Sequence, residues 1–324
     1  MDVNAFMPDE AALASLKTDL EEYNRQRLEA ARQSRSRLWL FLAAYTVVYL
    51  AVLYFIGTQT SRGIISSLGM VALVSGALAY LFVYGFAMSP ASKLQQSFRD
   101  YLIPRIFGFI DEVKYQRGGV PTTHDYIPKA AIGSFNRQSF DDSIRGTYDG
   151  MGFEAFEAVY SYKAGKNTSQ VFRGIVIAFQ LPQNFRGIVV ATKAVGNVSR
   201  FMRDLFGRGG LGPVTTGDAA IDQTYEFRSN NPRDAVSLIN PRFIEALDDL
   251  RDLWPEAPSR VAISEGSGFV LLPTKKNFFE LPKIWVACDY SSHIQPLVHD
   301  MVGLLRVAAL VRGAVSPGAE RQAG

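Results

Sequence analysis

Residues 171–181 read VFRGIVIAFQL, and residues 185–192 read FRGIVVAT. Both are dense in the β-branched and aromatic residues that suit a pleated, half-buried surface. Leu181, Pro182, Gln183 and Asn184 separate them, and so short a link predicts a hairpin of two antiparallel strands. Each strand opens on Phe-Arg-Gly. That triplet has a physical account that needs no chemistry: an aromatic anchor facing the core, an exposed Arg, and a Gly that permits a bulge or a close strand approach.

Working outward, Phe153, Phe156, Val159 and Tyr160 sit at helical spacing while their aromatic content favours a strand, so both readings stay open. Residues 198–206 predict a short helix ending at Gly207, Arg208, Gly209 and Gly210. Residues 224–228 predict a strand. Residues 232–253 carry Val236, Ile239, Phe243, Leu247, Leu250 and Leu253 on one helical face, as one helix or as two meeting at Asn240 and Pro241. Residues 260–263 and 269–272 flank Glu265, Gly266, Ser267 and Gly268, a second hairpin. Residues 284–286 read as a last strand and residues 294–311 as a closing helix. Upstream, residues 89–116 read as a helix leaving the membrane, kinked at Pro104, before a turn-rich stretch from Gly118 to Pro128. Strands, helix, strands, helix with tight hairpins predict an antiparallel α+β domain rather than a doubly wound parallel sheet.

The first hundred residues have a different character. Residues 38–56 are nineteen without a charge and reach ~28 Å as a helix, close to the ~30 Å hydrocarbon core. Residues 64–88 are twenty-five without a charge, long enough to tilt. A seven-residue link, residues 57–63, forces an antiparallel transmembrane hairpin, and Gly69, Ala72, Gly76 and Ala79 form a small-residue stripe for close packing on the first helix. The first run starts too late and runs too long for a cleaved signal peptide. Before it lies a helical arm, residues 1–37, with six acids and one Lys in residues 1–24 and five Arg and one Glu in residues 25–37. Leu13, Leu16, Leu20 and Tyr23 give the arm a narrow apolar stripe, read as packing on the cytoplasmic domain. Arg25, Arg27, Arg32, Arg35 and Arg37 precede the first run, Arg62 alone lies in the link, and Lys93, Arg99 and Arg105 follow the second. The positive-inside rule therefore places both flanks in the cytoplasm. Asp300 and Arg306 argue against a third span in the closing helix.

Composition excludes several classes. The chain of 324 residues has 34 Lys+Arg against 31 Asp+Glu, a net charge of +3, too small to argue for nucleic-acid binding. Its single cysteine, Cys288, excludes an intramolecular disulfide and Cys-based zinc clusters. Gly207, Gly209, Gly210 and Gly212 follow a predicted helix and lack the Gly-Lys-Ser/Thr of a phosphate loop, so they read as a loop. Cys288, Asp289, His293 and His299 have the residue types of a zinc or Cys–His site, but match no motif spacing. Asp141, Asp142, Asp248 and Asp249 read as solvated acids. Lys275 and Lys276 beside Phe278 and Phe279 read as a strand-end turn with two core phenylalanines, with membrane or partner contact as the functional alternative.

The chain resembles a bacterial family of membrane proteins known as domain of unknown function 3137. The resemblance rests on Tyr126-Ile127-Pro128 with Phe135 and Ser139, on residues 152–156 (GFEAF), and on Phe-Arg-Gly at Phe172 and again at Phe185. Tyr225-Glu226-Phe227, Pro232-Arg233-Asp234-Ala235 and Phe278-Phe279-Glu280 complete it. It implies two early spans and one α+β domain, and no activity. The expected architecture is an arm (1–37), a transmembrane hairpin (38–88), a membrane-exit helix (89–116), a cytoplasmic α+β domain (117–315) and a short tail (316–324). The expected function is a non-catalytic interaction module of the bacterial inner membrane, both termini cytoplasmic, without metal or cofactor. Its expected partners are the lipid bilayer and a further protein, with self-association open and nucleic acid excluded. Arg25, Arg27, Arg32, Arg35, Arg37, Arg173, Arg186, Lys275 and Lys276 are the candidate contacts. The alternative is an enzyme acting on a membrane-associated substrate near Cys288 and His293.

Overall fold

The computed structural model describes residues 10–59, 65–182, 185–194, 210–255 and 258–315. The described residues divide into two units, one helical (within residues 10–102 with 281–293) and one built on a sheet (within residues 103–280 with 294–315).

In the helical unit, α1 (Glu10–Gln59) is a single helix of 50 residues. No Gly or Pro interrupts it before Gly57, so the arm and the first apolar run share one rod of ~75 Å without a break at residue 37. The helix α2 (Ile65–Ala87) returns antiparallel to it, and α3 (Ser89–Ile106) follows. Tyr45 Oη donates to the Gly76 carbonyl at 2.9 Å, and the Phe41 and Phe86 rings meet at 5.5 Å. A Cβ at Gly76 would come within 2.9 Å of the Tyr49 ring, so that glycine lets the helices close. The side chains of Gly69 and Ala72, and residues 60–64, lie outside the described residues.

The two halves of α1 face different surroundings. Leu16, Leu20, Tyr23, Arg27 and Ala31 are buried at three- and four-residue steps, and the Tyr23 ring stacks on Phe98 of α3 at 3.9 Å. Beyond them Trp39, Leu40, Val47, Val48, Leu50, Tyr54 and Phe55 are exposed. The helical stretch Leu13–Phe55 contains a window of mean hydropathy 2.1 with none of it buried. Tyr290–Ala314 also passes by length and hydropathy, but 56% of its window is buried. Among the described residues, Val74–Ala87 and Ser89–Ile106 pass together as a pair bent by 51°.

Residues 281–288 do not form the expected strand at 284–286. They make a strap whose backbone is held by side chains of α1 and α3. Asn24 accepts from Cys288 N at 2.9 Å and donates to Cys288 O at 2.7 Å. Arg27 Nη1 donates to Ile284 O and Gln95 Nε2 to Pro282 O, both at 2.9 Å. Four of its backbone groups are thus bonded to side chains rather than to a neighbouring strand.

The other unit is a nine-stranded antiparallel sheet, β1 (Asp111–Arg117), β2 (Arg137–Tyr148), β3 (Met151–Ala164), β4 (Asn167–Gln180), β5 (Ile188–Lys193), β6 (Gly212–Val214), β7 (Tyr225–Ser229), β8 (Arg260–Ser264) and β9 (Ser267–Pro273). Their order is β1-β2-β3-β4-β9-β8-β5-β7-β6. The expected hairpin of β4 with β5 is corrected by this order. The β8–β9 hairpin lies between them, pairing Gly174↔Pro273 through Gln180↔Ser267 on one side and Ile188↔Ser264 through Thr192↔Arg260 on the other. The two Phe-Arg-Gly strands thus stand three spacings apart, ~14 Å.

Short helices α4 (Lys129–Ile132), α5 (Ala219–Thr224) and α6 (Pro232–Leu238) accompany the longer α7 (Pro241–Leu253) and α8 (Gln295–Ala314). The ambiguous stretch at residue 153 is strand. Residues 232–253 are two helices, with the Asn240 side chain capping α7 by accepting from Phe243 N at 3.2 Å. One face of the sheet packs a core of Phe156, Tyr160, Phe172, Val176 and Phe269 against α4 and Ile127. The other face receives α8, which packs on β4, β9 and α7. The charges that weighed against a span in α8 are accommodated: Arg306 Nε meets Asp249 Oδ2 of α7 at 3.0 Å. The helix expected over residues 89–116 ends at Ile106, and 111–117 is an edge strand. The expected helix over 198–206 lies outside the described residues.

Candidate functional site

Strand β3 carries Glu154 and Glu157, three residues apart, which alternation sends to opposite faces of the sheet. Both are buried. Glu154 is cradled by the loop before α4: its oxygens accept from Thr122 N (3.1 Å), Thr122 Oγ1 (2.9 Å), Thr123 N (2.8 Å) and Thr123 Oγ1 (2.7 Å). It lines an open groove of about 710 Å³ with Lys114, Tyr126, Arg145, Gln180 and Glu265. Register places Arg145 of β2 between Glu154 of β3 and Lys114 of β1, a ladder of charge across the three strands.

Glu157 faces a different set. Its Oε1 accepts from Phe278 N and from Phe279 N, the latter at 3.2 Å. One oxygen each from Asp141, Asp142 and Glu157 lie within 4.8 Å of one another. A bulge produces this cluster. Phe140 pairs with Ala158 and Ser143 with Phe156, so Asp141 and Asp142 together oppose Glu157. Tyr115 Oη donates to Asp142 Oδ1 at 2.8 Å, and Asn277 Nδ2 to Asp141 Oδ2 at 3.3 Å. Burial pushes the Glu157 carboxyl up to about 7; the two peptide N–H groups oppose the rise, and the Asp142 and Asp141 charges add to it. A small cavity of about 250 Å³ alongside is lined by Asp141, Glu157, Arg173 and Lys276. The arrangement gathers three carboxylates, of which burial raises Glu157, and the cavity beside Asp141 and Glu157 also carries two cations.

Of the expected contact residues, Arg173 and Lys276 therefore share one cavity. Arg186 is exposed elsewhere on the sheet, where its carbonyl accepts from Asn231 Nδ2 at 3.2 Å, and Lys275 is exposed. Both Phe-Arg-Gly triplets have the expected geometry: Phe172 and Phe185 are buried, Arg173 and Arg186 exposed. A Cβ at Gly174 would lie 1.8 Å from Leu272 O, a close strand approach. Phe279 is in the core and Phe278 half-buried. In the helical unit Arg25, Arg32, Arg35 and Arg37 are exposed. Arg27 is corrected as a surface contact: it is 6% exposed and spent on the strap. Asp142 is likewise corrected from a solvated acid, being 1% exposed.

Around Cys288, burial and then the Asp289 charge push the thiol up to about 12, against the lowering by Arg27. Asp289 is held down at about 2 by Ser291 and Ser292, whose hydroxyls and one amide it accepts from. His293 Nδ1 accepts from Asp289 N at 3.1 Å. These are turn contacts, and a thiol so far above neutrality is a poor nucleophile. The glycines Gly207 and Gly209 lie outside the described residues.

Glu154 and Glu157 escape a reading of hydrophobic period, because β3 is buried on both faces and its apolar residues show no alternation. The signal available was an acid at two strand positions among Phe and Ala. The bulge that gathers Asp141 and Asp142 has no such signal.

Residues 170–311 match the family model described as Protein of unknown function (DUF3137). The resembling segments from residue 171 to residue 280 fall inside that span, and those from residue 126 to residue 156 precede it. No curated protein matches. Among solved structures, the chain is similar to the crystal structure of the mycobacterial trehalose monomycolate transport factor A, at 13% identity over 66% of this chain and 93% of that one. The TM-score between the two is 0.32.

Proposed function

We propose that this chain is an interaction module anchored in the bacterial inner membrane, binding a lipid or protein partner without catalysis. The α1–α2 hairpin crosses the bilayer over residues 38–88, and the domain over residues 117–315 lies in the cytoplasm with both termini. The observation that carries the reading is the division of α1. Its amino-terminal stripe is buried within the protein, while the continuous apolar half beyond Arg37 meets α2 along one side and has no buried residue in its most apolar window. In water that half would expose an apolar patch far larger than soluble proteins tolerate, and in a bilayer it needs no cover.

The binding role is supported by what the sheet unit offers: an open groove of mixed charge beside a well-satisfied Glu154. The alternative enzyme centred on Cys288 and His293 is opposed by the thiol held near 12. The test is to isolate the tagged protein from native membranes in lipid nanodiscs and identify what copurifies. A stoichiometric protein, or enrichment of one lipid class, is expected. Recovery in the soluble fraction after alkaline extraction would overturn the anchor, and substrate turnover by the purified chain would overturn the non-catalytic reading.

A further inference from the structure

The strap over residues 281–288 carries a surface that its clamping does not require. Ile284 is buried between Ala31 of α1 and Ala91 of α3, with Met88 and Leu94 packed around it. The next two residues, Trp285 and Val286, turn outward and are each 48% exposed. Lys283 before them is exposed as well. The Arg35 guanidinium lies over the Trp285 ring, 5.7 Å from its centroid.

Two independent landmarks give the level of this knuckle along the anchor. Arg35 precedes the first apolar run by three residues, ~4.5 Å of helix, and exposed Trp39 stands one turn further on the same face. Met88 is the break between α2 and α3, where the second apolar run ends. Both put Ile284 and Trp285 at the depth where the apolar runs stop. Charge at that depth has one sign. No acid occurs from Ala30 to Arg99 or from Leu281 to Cys288, while Arg32, Arg35, Arg37, Lys93 and Lys283 are all exposed. An amphipathic indole flanked only by cations is the composition of a headgroup contact.

We propose that this strap is a membrane-contact element: Trp285 and Val286 enter the headgroup layer beside the anchor, and Arg35 with Lys283 and Lys93 meets anionic phospholipid headgroups. The inference rests on the reading of α1 and α2 as the anchor. It adds that a segment from the carboxyl-terminal third of the chain reaches the same bilayer surface.

The test uses the full-length chain reconstituted in vesicles of phosphatidylcholine with phosphatidylglycerol, or phosphatidylcholine alone, each containing lipids nitroxide-labelled near the headgroup or deep in the chain. The protein has three tryptophans. W39F/W254F leaves Trp285 as the sole reporter, and W254F/W285F leaves Trp39 as the anchor control. Trp285 emission is expected to be quenched several-fold more by the shallow label than by the deep one, more strongly with phosphatidylglycerol present. R35Q/K283Q added to the first background is expected to remove that dependence on phosphatidylglycerol. A spin label at V286C in a C288S background reads the same depth with every tryptophan retained. Quenching of Trp39 without Trp285, and a water-exposed label at V286C, would overturn the strap contact and leave the anchor standing. Quenching of neither tryptophan would overturn the anchor and the strap contact with it. Equal Trp285 quenching in both vesicle types would overturn the assignment to anionic headgroups.

Discussion

At the scale of single residues, the two glutamates of β3 show how environment divides one chemistry. Glu154 is satisfied by four donors from Thr122 and Thr123, so its charge pins the loop in front of α4. Removing it in E154A strands two amides and two hydroxyls, and hydrogen exchange at Thr123 N is expected to accelerate by tens-fold, the effect of losing about 2–3 kcal/mol of local stability. Glu157 sits near two other acids, and burial sets its folded pKa at about 7 against an ordinary 4.5. A raised carboxyl pKa means that the folded state holds the proton more tightly than the unfolded chain. The stability from that proton is fully present below 4.5 and is lost as pH rises through about 7. The loss amounts to roughly 3 kcal/mol at its upper bound. E157Q keeps an oxygen for the Phe278 and Phe279 amides without the charge. Its thermal midpoint is expected to exceed that of the parent at about pH 8, to match it near about pH 5, and to vary less between them. A parent midpoint that rises with pH over this range would contradict the assignment.

At the scale of elements, the strap and the sheet mark where local reading succeeds and fails. Both halves of the β8–β9 hairpin, the break at Asn240 and the closing helix were legible, because a turn, a cap and a 3.6-residue period are local signals. The pairing of β4 with β5 was not. Both strands were found, but their partners come from residues 260–273, and nothing within residues 171–192 records that insertion. The bulge at Asp141 and Asp142 hid β2 for a related reason, since an extra residue erases the alternation that identifies a strand. The strap fails a strand reading because its order comes from Asn24, Arg27 and Gln95, far away in sequence. That dependence has a measurable consequence. Asn24 holds both backbone groups of Cys288, whose side chain is buried. The native thiol is expected to react with maleimide slowly in the folded protein. N24A, by removing two hydrogen bonds of about 1 kcal/mol each, is expected to raise the rate at least about tenfold without exposing the sheet unit. An unchanged rate would show that packing of Ile284 alone fixes the strap.

At the scale of the whole molecule, the proposed anchor turns chain order into topology. A link of five residues, 60–64, between α1 and α2 leaves no room to place their far ends on different sides. Whatever side holds the arm also holds everything after Met88. In the proposed topology that side is the cytoplasm, on the bias of five arginines between residues 25 and 37 against one in the link. The burial of Arg27 in the strap weakens the count by one without altering its sign, since four exposed arginines remain. In a C288S background, T58C places a thiol at the end of α1, and K166C places one at the exposed turn between β3 and β4. A membrane-impermeant maleimide added to intact spheroplasts is expected to label T58C and to reach K166C only after lysis. Labelling of K166C first would invert the topology, and with it the side of the bilayer that holds the groove at Glu154. Labelling of both at equal rates would mean that α1 and α2 do not cross a bilayer at all, and the exposed apolar half of α1 would then need cover from protein.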